Sequence, residues 1–297
     1  MTMERRETDE MRSRDDTESQ DNVTTGKQPA PWPEGSRSPN APDNRPVVCE
    51  FNETWYSYDG GEPAVEDVSF KVRQGDFAAI LGPNGSGKTT LLRLALGLLK
   101  PSNGVVELFG ETSARFRDWS RVGYVPQRVE GLGSRFPATV EEIVEHGLYR
   151  GFDPLAIFRR HERKEVLDAL DLAGISHLRT RAIESLSVGQ RQRALIARAI
   201  AGEPELLFLD EPVSGVDAVG RDRFHELISS LNKEHGMTVF LISHDIGAVM
   251  QGATVCACIN RTVVFHGAPH HITGEHLSEL YGFPVDVLLH DALHEHR

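Results

Sequence analysis

The stretch Gly82-Pro83-Asn84-Gly85-Ser86-Gly87-Lys88-Thr89-Thr90 constrains this chain more than any other. The apolar run Ala78-Ala79-Ile80-Leu81 precedes it, and a helical run with Leu91, Leu92, Leu94, Ala95 and Leu96 comes after. Strand, glycine-rich loop and helix in that order form a phosphate cradle. The glycines let backbone N–H groups turn inward around phosphate oxygens, and the helix N-terminus adds the positive end of its dipole. Lys88 would reach the β- and γ-phosphates, and the Thr89 hydroxyl would ligate Mg²⁺. A glycine-rich turn that binds nothing has no need of both flanking elements. The chain therefore reads as a nucleotide-binding α/β protein.

A second carboxylate element lies far along the chain. Glu205-Leu206-Leu207-Phe208-Leu209-Asp210-Glu211 reads as a short buried strand ending in two acids. A continuous apolar run of this kind fits a central parallel strand, and acids at its C-terminal end fall where open α/β sheets bind ligands. Asp210 would hold Mg²⁺, and Glu211 could polarise the attacking water. Acids after a strand are usually ordinary loop residues, so it is the pairing with the cradle that gives these two their meaning.

Composition limits the alternatives. Of 297 residues 39% are hydrophobic, enough for a core, but residues 1–46 hold almost no apolar clusters and read as a disordered acidic tail. That segment has no apolar stretch after a basic start, so it does not read as a secretory signal. The 44 acidic groups outweigh 32 basic ones, giving a net charge of −12, which argues against a nucleic-acid partner. Lysine is scarce, with six against many arginines; salt adaptation and a GC-rich genome explain this equally well. Three cysteines suggest no disulfide framework, and Cys256 and Cys258 read as a same-side buried pair on a strand. No apolar stretch approaches the ~18 residues that span a bilayer, so any membrane role needs a partner chain.

Between cradle and acids comes Leu186-Ser187-Val188-Gly189-Gln190-Arg191-Gln192-Arg193, before an amphipathic helix. Ser187 could be an ordinary N-cap, but that explains neither Gly189 nor Gln190. Here the chain closely resembles the ATP-binding subunits of ABC transporters, whose signature is Leu-Ser-Gly-Gly-Gln; Val188 is the one departure. Tyr58 resembles the aromatic that stacks on adenine. Gln127, in Tyr124-Val125-Pro126-Gln127, resembles the glutamine that senses Mg²⁺ and couples to the membrane partner. Ser214-Gly215-Val216-Asp217 resembles the loop that crosses to the other subunit, and His244 the switch histidine that contacts the γ-phosphate.

The resemblance implies a RecA-like P-loop core with an antiparallel β element and a helical subdomain at about 131–203, together spanning residues 47–266. It implies ATP and Mg²⁺ as cofactors. Gly82, Pro83, Asn84, Gly85, Ser86, Gly87, Lys88, Thr89 and Thr90 would cradle the nucleotide with Tyr58. Ser187, Gly189, Gln190 and Asp217 would serve across a homodimer. Glu211, His244 and Gln127 would be the catalytic set; Thr89, Gln127 and Asp210 would hold the ion.

A long coiled-coil insertion, a second cassette and fused membrane helices are all missing, which favours a separate-subunit importer over a soluble ABC ATPase. Arg135-Phe136-Pro137 before Thr139-Val140 resembles the zinc and manganese importers, and siderophore and cobalamin importers look similar there. The expected partners are an integral membrane permease and, through it, an extracellular solute-binding protein, with the subunit peripheral on the cytoplasmic face of the membrane. Residues 267–297 read as a His-rich tail: seven of the thirteen histidines lie in the last 32 residues. His290 and His294 would share a face if 287–296 were helical. Such a tail could report metal or simply be solvated.

Overall fold

The computed structural model describes residues 43–127, 138–148, 160–213 and 215–283, with the side chains of 160–163, 248 and 251 left aside. Expectations for the N-terminal tail up to residue 42, for residues 128–137, for Ser214 and for His290, His294 and His296 lie outside the described residues.

Two sheets organise the chain. Strands β1 (Val47–Ser57), β2 (Pro63–Arg73), β4 (Asn103–Leu108) and β5 (Glu111–Thr112) form an antiparallel sheet in the order β2-β1-β4-β5. A second sheet runs in the order β10-β9-β3-β8-β7-β6. Its strands are β3 (Phe77–Leu81), β6 (Val122–Val125), β7 (Leu206–Asp210), β8 (Thr238–Ser243), β9 (Val255–Asn260) and β10 (Thr262–Gly267). All its pairings are parallel except β9 with β10.

The continuous apolar runs of β3, β7 and β8 are buried throughout because both faces are covered. Leu206, Phe208, Phe240 and Ile242 face the antiparallel sheet, where Phe208 and Phe240 meet at 5.0 Å and Phe51 stacks on Phe70 at 4.6 Å. Between the two sheets lies α1 (Lys88–Ala95), which contributes Leu91, Leu92, Leu94 and Ala95 to that core. Alternate residues Leu207, Leu209, Val239 and Leu241 face the opposite way. They belong to one apolar cluster with helices α4 (Val188–Ile200) and α5 (Ala218–Lys233), onto which α2 (Val140–Glu145) and α3 (Arg160–Leu172) pack through α4. Helix α5 buries Phe224, Ile228 and Leu231, with Leu227 partly buried beside them, a face at helical spacing. The fold is the RecA-like α/β core with an antiparallel β element expected from the sequence.

Cys256 and Cys258 are buried free thiols on the same side of β9, as period two requires. They pack with Ala79, Leu81, Val249 of α6 (Ile246–Gly252), and Leu277 and Leu280 of α7 (Gly274–Tyr281). The chain after residue 266 is therefore folded before any tail begins. Thr273 caps α7, accepting from the backbone N–H of His276 at 3.3 Å, while the His276 ring returns a contact to Thr273 N. Among the described residues no helix is long and apolar enough to cross a membrane.

Candidate nucleotide site

Strand register decides which residues meet. Leu81 pairs with Ser243, Val125 with Leu209, and Asp210 with Ile242, so β3, β8, β6 and β7 end at one edge of the sheet. The segments leaving these four strands therefore emerge together and bring Gly82, His244, Gln127 and Glu211 to that edge. Ligands of open α/β sheets bind at this carboxyl edge.

The loop after β3 wraps tightly. A Cβ at Gly82 would lie 2.2 Å from the Ile259 carbonyl oxygen and 2.5 Å from Ser86 Oγ, so only glycine fits. Gly87, which caps α1 with φ 99°, would drive a Cβ to 2.4 Å from the Ala64 carbonyl oxygen. The loop is thus pinned between β9 and β2. Lys88, 5% exposed, donates from Nζ to the carbonyls of Gly82 (2.9 Å) and Pro83 (2.8 Å). Burial lowers its pKa, while the Glu211 and Asp210 carboxylates pull the other way. The buried Ser86 hydroxyl has no hydrogen-bond partner.

Opposite lie the two acids. Burial and the neighbouring Glu211 charge push Asp210, 5% exposed, up to about 6, with Arg93 and Lys88 partly offsetting them. Its Oδ1 is buried without a partner, a costly arrangement for a carboxylate oxygen unless a cation meets it. Thr89 supplies a hydroxyl beside Lys88, and such hard oxygen donors suit Mg²⁺. Among the described residues no three His, Cys, Asp or Glu side chains gather into a metal cage. A cation at Asp210 and Thr89, with the Gln127 amide oxygen at the same sheet edge, would draw its remaining ligands from water and nucleotide phosphate, the habit of Mg²⁺.

Glu211 sits at φ 44°, left-handed backbone that a glutamate adopts at a cost of order 1–3 kcal/mol. The strained turn directs its carboxylate back toward the strand ends. There Gln127 Nε2 donates to Glu211 Oε2 at 2.8 Å, and His244 Nδ1 lies 3.6 Å from the same oxygen. The Glu211 side chain is 12% exposed and that of His244 60% exposed. Two residues from widely separated segments thus converge on one carboxylate oxygen of a third.

Tyr58, just after β1, shares a hydrogen bond with Thr90 Oγ1 at 3.2 Å and receives a long contact from Arg93 at 3.5 Å. Arg93 is the functional candidate that sequence reasoning missed: it lies on the exposed side of α1, and its contact spans 35 residues.

The residues assigned to a second subunit's site lie in a different place. Ser187 caps α4, accepting from Gln190 N at 3.3 Å, while Gln190 Oε1 accepts from Ser187 N at 3.1 Å. The N-cap role weighed for Ser187 is thus present. Asp217 caps α5 through Gly220 N at 2.9 Å. Both helix N-termini line a cleft of about 370 Å³ with Val188, Gly189, Arg193 and Arg223. Two N-terminal dipole ends and two guanidiniums make that cleft attractive to an anion.

Comparison with known proteins agrees with this geometry. The family model described as ABC transporter matches residues 65–214. The zinc uptake system ATP-binding protein ZurA of Listeria monocytogenes is 40% identical over 223 residues, 75% of this chain and 86% of that protein. A solved inward-facing transporter assigned to the metal-chelate ABC type aligns with a TM-score of 0.71 at 32% identity, covering 80% of this chain and 90% of that one. A dimeric bacterial ABC transporter cassette aligns with a TM-score of 0.64 at 27% identity, covering 76% of this chain and 100% of that one.

Proposed function

The chain belongs to the ABC transporter family of ATP-binding proteins, and from that premise we propose that it hydrolyses ATP to power zinc uptake through a separate membrane permease. The observation that carries the reading is the convergence of Gln127, Glu211 and His244 beside the Lys88 cradle at one sheet edge. That arrangement suits in-line attack of water on a γ-phosphate. Gly82 to Thr90 hold the phosphates, with Lys88 moving from the loop carbonyls onto phosphate oxygens. Tyr58 carries the base. Thr89, Asp210 and Gln127 would hold Mg²⁺, which when bound would screen the phosphate charge. Glu211 accepts the water's hydrogen bond and polarises it, Gln127 keeps the carboxylate aimed, and His244 contacts the γ-phosphate.

One cradle leaves the γ-phosphate open on one side. We assign the cover to a second copy, whose Ser187, Gly189 and Gln190 close over it and whose Asp217 lies beside them; the dimeric cassette supports this. Loss of the γ-phosphate contacts on hydrolysis then opens the pair. The subunit works from the cytoplasmic face of the membrane, with an integral permease and, through it, an extracellular solute-binding protein. Zinc is favoured as cargo because ZurA, at 40% identity, is a zinc uptake protein. A metal-chelate cargo is the second reading, supported by the aligned transporter of that type.

Glu211→Gln tests the assignment. It should retain ATP binding, lose at least a hundredfold in turnover, about 2.7 kcal/mol of barrier, and abolish zinc uptake in cells depending on this chain. Unimpaired hydrolysis would sink the catalytic role. Zinc uptake that survives loss of the chain, while chelate uptake fails, would replace the cargo.

A further inference from the structure

Tyr58 is 42% exposed, yet it is held at both ends. Its hydroxyl shares a hydrogen bond with the buried Thr90 of α1 at 3.2 Å, and Arg93, one turn along the same helix, reaches it at 3.5 Å. Its ring meets that of Tyr56 at 4.9 Å and 84°. Tyr56 and Tyr58 are two apart where β1 ends, so both emerge on one side, and Tyr56 is itself wedged against the core between the sheets. A surface tyrosine ordinarily samples more than one rotamer and loses that freedom on stacking. Here the freedom is already given up in folding.

We propose that Tyr56, Thr90 and Arg93 are positioning residues that fix Tyr58 as a preformed platform for the nucleotide base. The Tyr58 hydroxyl, and not its ring alone, then sets base affinity. The proposal rests on the reading of Tyr58 as the base-stacking aromatic and adds what holds it there. Thr90 stands two residues from Lys88, so the anchor ties the platform to the helix that opens the phosphate cradle. Base and phosphate subsites are thereby kept at a set spacing. A neutral hydrogen bond contributes about 0.5–1.5 kcal/mol net, and a tenfold change in affinity corresponds to about 1.4 kcal/mol.

The test compares binding of a non-hydrolysable ATP analogue and of inorganic tripolyphosphate, both with Mg²⁺, to the full-length chain by calorimetry. Tyr58→Phe keeps the ring and removes the anchor. It should weaken the analogue about five- to tenfold while tripolyphosphate stays within about twofold. Tyr56→Leu should act in the same direction, and Tyr56→Phe, which keeps the edge contact, should restore wild-type selectivity. If Tyr58→Ala weakens the analogue but Tyr58→Phe matches wild type, the anchor is overturned while the base platform stands. If Tyr58→Ala also matches wild type, the platform reading itself fails. An equal loss for tripolyphosphate in Tyr58→Phe would mark general damage to the cradle and overturn the proposal.

Discussion

Asp210 should destabilise the protein that it serves. Its carboxyl is pushed from 3.8 up to about 6 by burial and by Glu211, and its Oδ1 has no partner. A carboxyl whose folded pKa lies above its unfolded value stabilises the fold below the unfolded value. That contribution is lost as pH rises through the folded one. The window here runs from about 4 to 6. The shift of roughly 2 units, at 1.36 kcal/mol each, makes ionised Asp210 cost about 3 kcal/mol above that window. Asp210→Asn keeps the shape and removes the charge. With nucleotide removed by dialysis and divalent ions by chelator, its unfolding free energy should equal that of wild type near pH 4 and exceed it by up to about 3 kcal/mol at pH 8. Urea denaturation of both proteins at several pH values measures the difference, so that every other titrating group cancels. The same substitution should abolish Mg²⁺-dependent turnover, since the orphaned oxygen is the proposed ligand. An Asp210→Asn protein no more stable than wild type at pH 8 would refute the reasoning.

Other perturbations draw on the same geometry. Gly82→Ala should weaken ATP binding tenfold or more by titration, because its Cβ would collide with the Ile259 backbone at 2.2 Å. Leu280→Ala, at a fully buried position against β9, should lower unfolding free energy by about 3 kcal/mol in urea melts. Val188→Gly should change ATPase rate no more than a few-fold, since Val188 is 55% exposed, whereas Ser187→Arg should abolish turnover by filling the cleft with a third guanidinium.

The core strands were legible because burial on both faces forces continuous apolar runs, and few other elements write Leu-Leu-Phe-Leu-Asp. The site was legible for a related reason: strands of one parallel sheet end together, so Gln127, Glu211 and His244 had to share an edge once their strands were recognised. Helix α7 was not. Its buried residues are Leu277 and Leu280, three apart in a stretch otherwise rich in Gly, His and Glu, and two such anchors are too few for a periodic signal. Composition alone then reads a solvated tail where the chain still packs on β9. A truncation meant to probe the histidines must accordingly fall after Phe283. Cutting at 266 would strip Leu277 and Leu280 from Cys256 and Cys258, and change the fold before it changed any metal chemistry.

Nor does sequence show what environment does to a side chain. Glu211 occupies left-handed backbone that nothing in its side chain favours; it is held there by its N–H bond to the Ile242 carbonyl, a neighbouring-strand contact. Asp210 is raised by burial that its own residue type opposes. Both departures fall at the point where the nucleotide chemistry is proposed. Natural proteins break local rules at functional sites and compensate elsewhere, here through the β7–β8 register that packs Phe208 against Phe240. The strain at Glu211 and the buried charge at Asp210 are thus maintained by the same two strands. Loosening that core at Phe240 should therefore relax the catalytic edge as well as the fold.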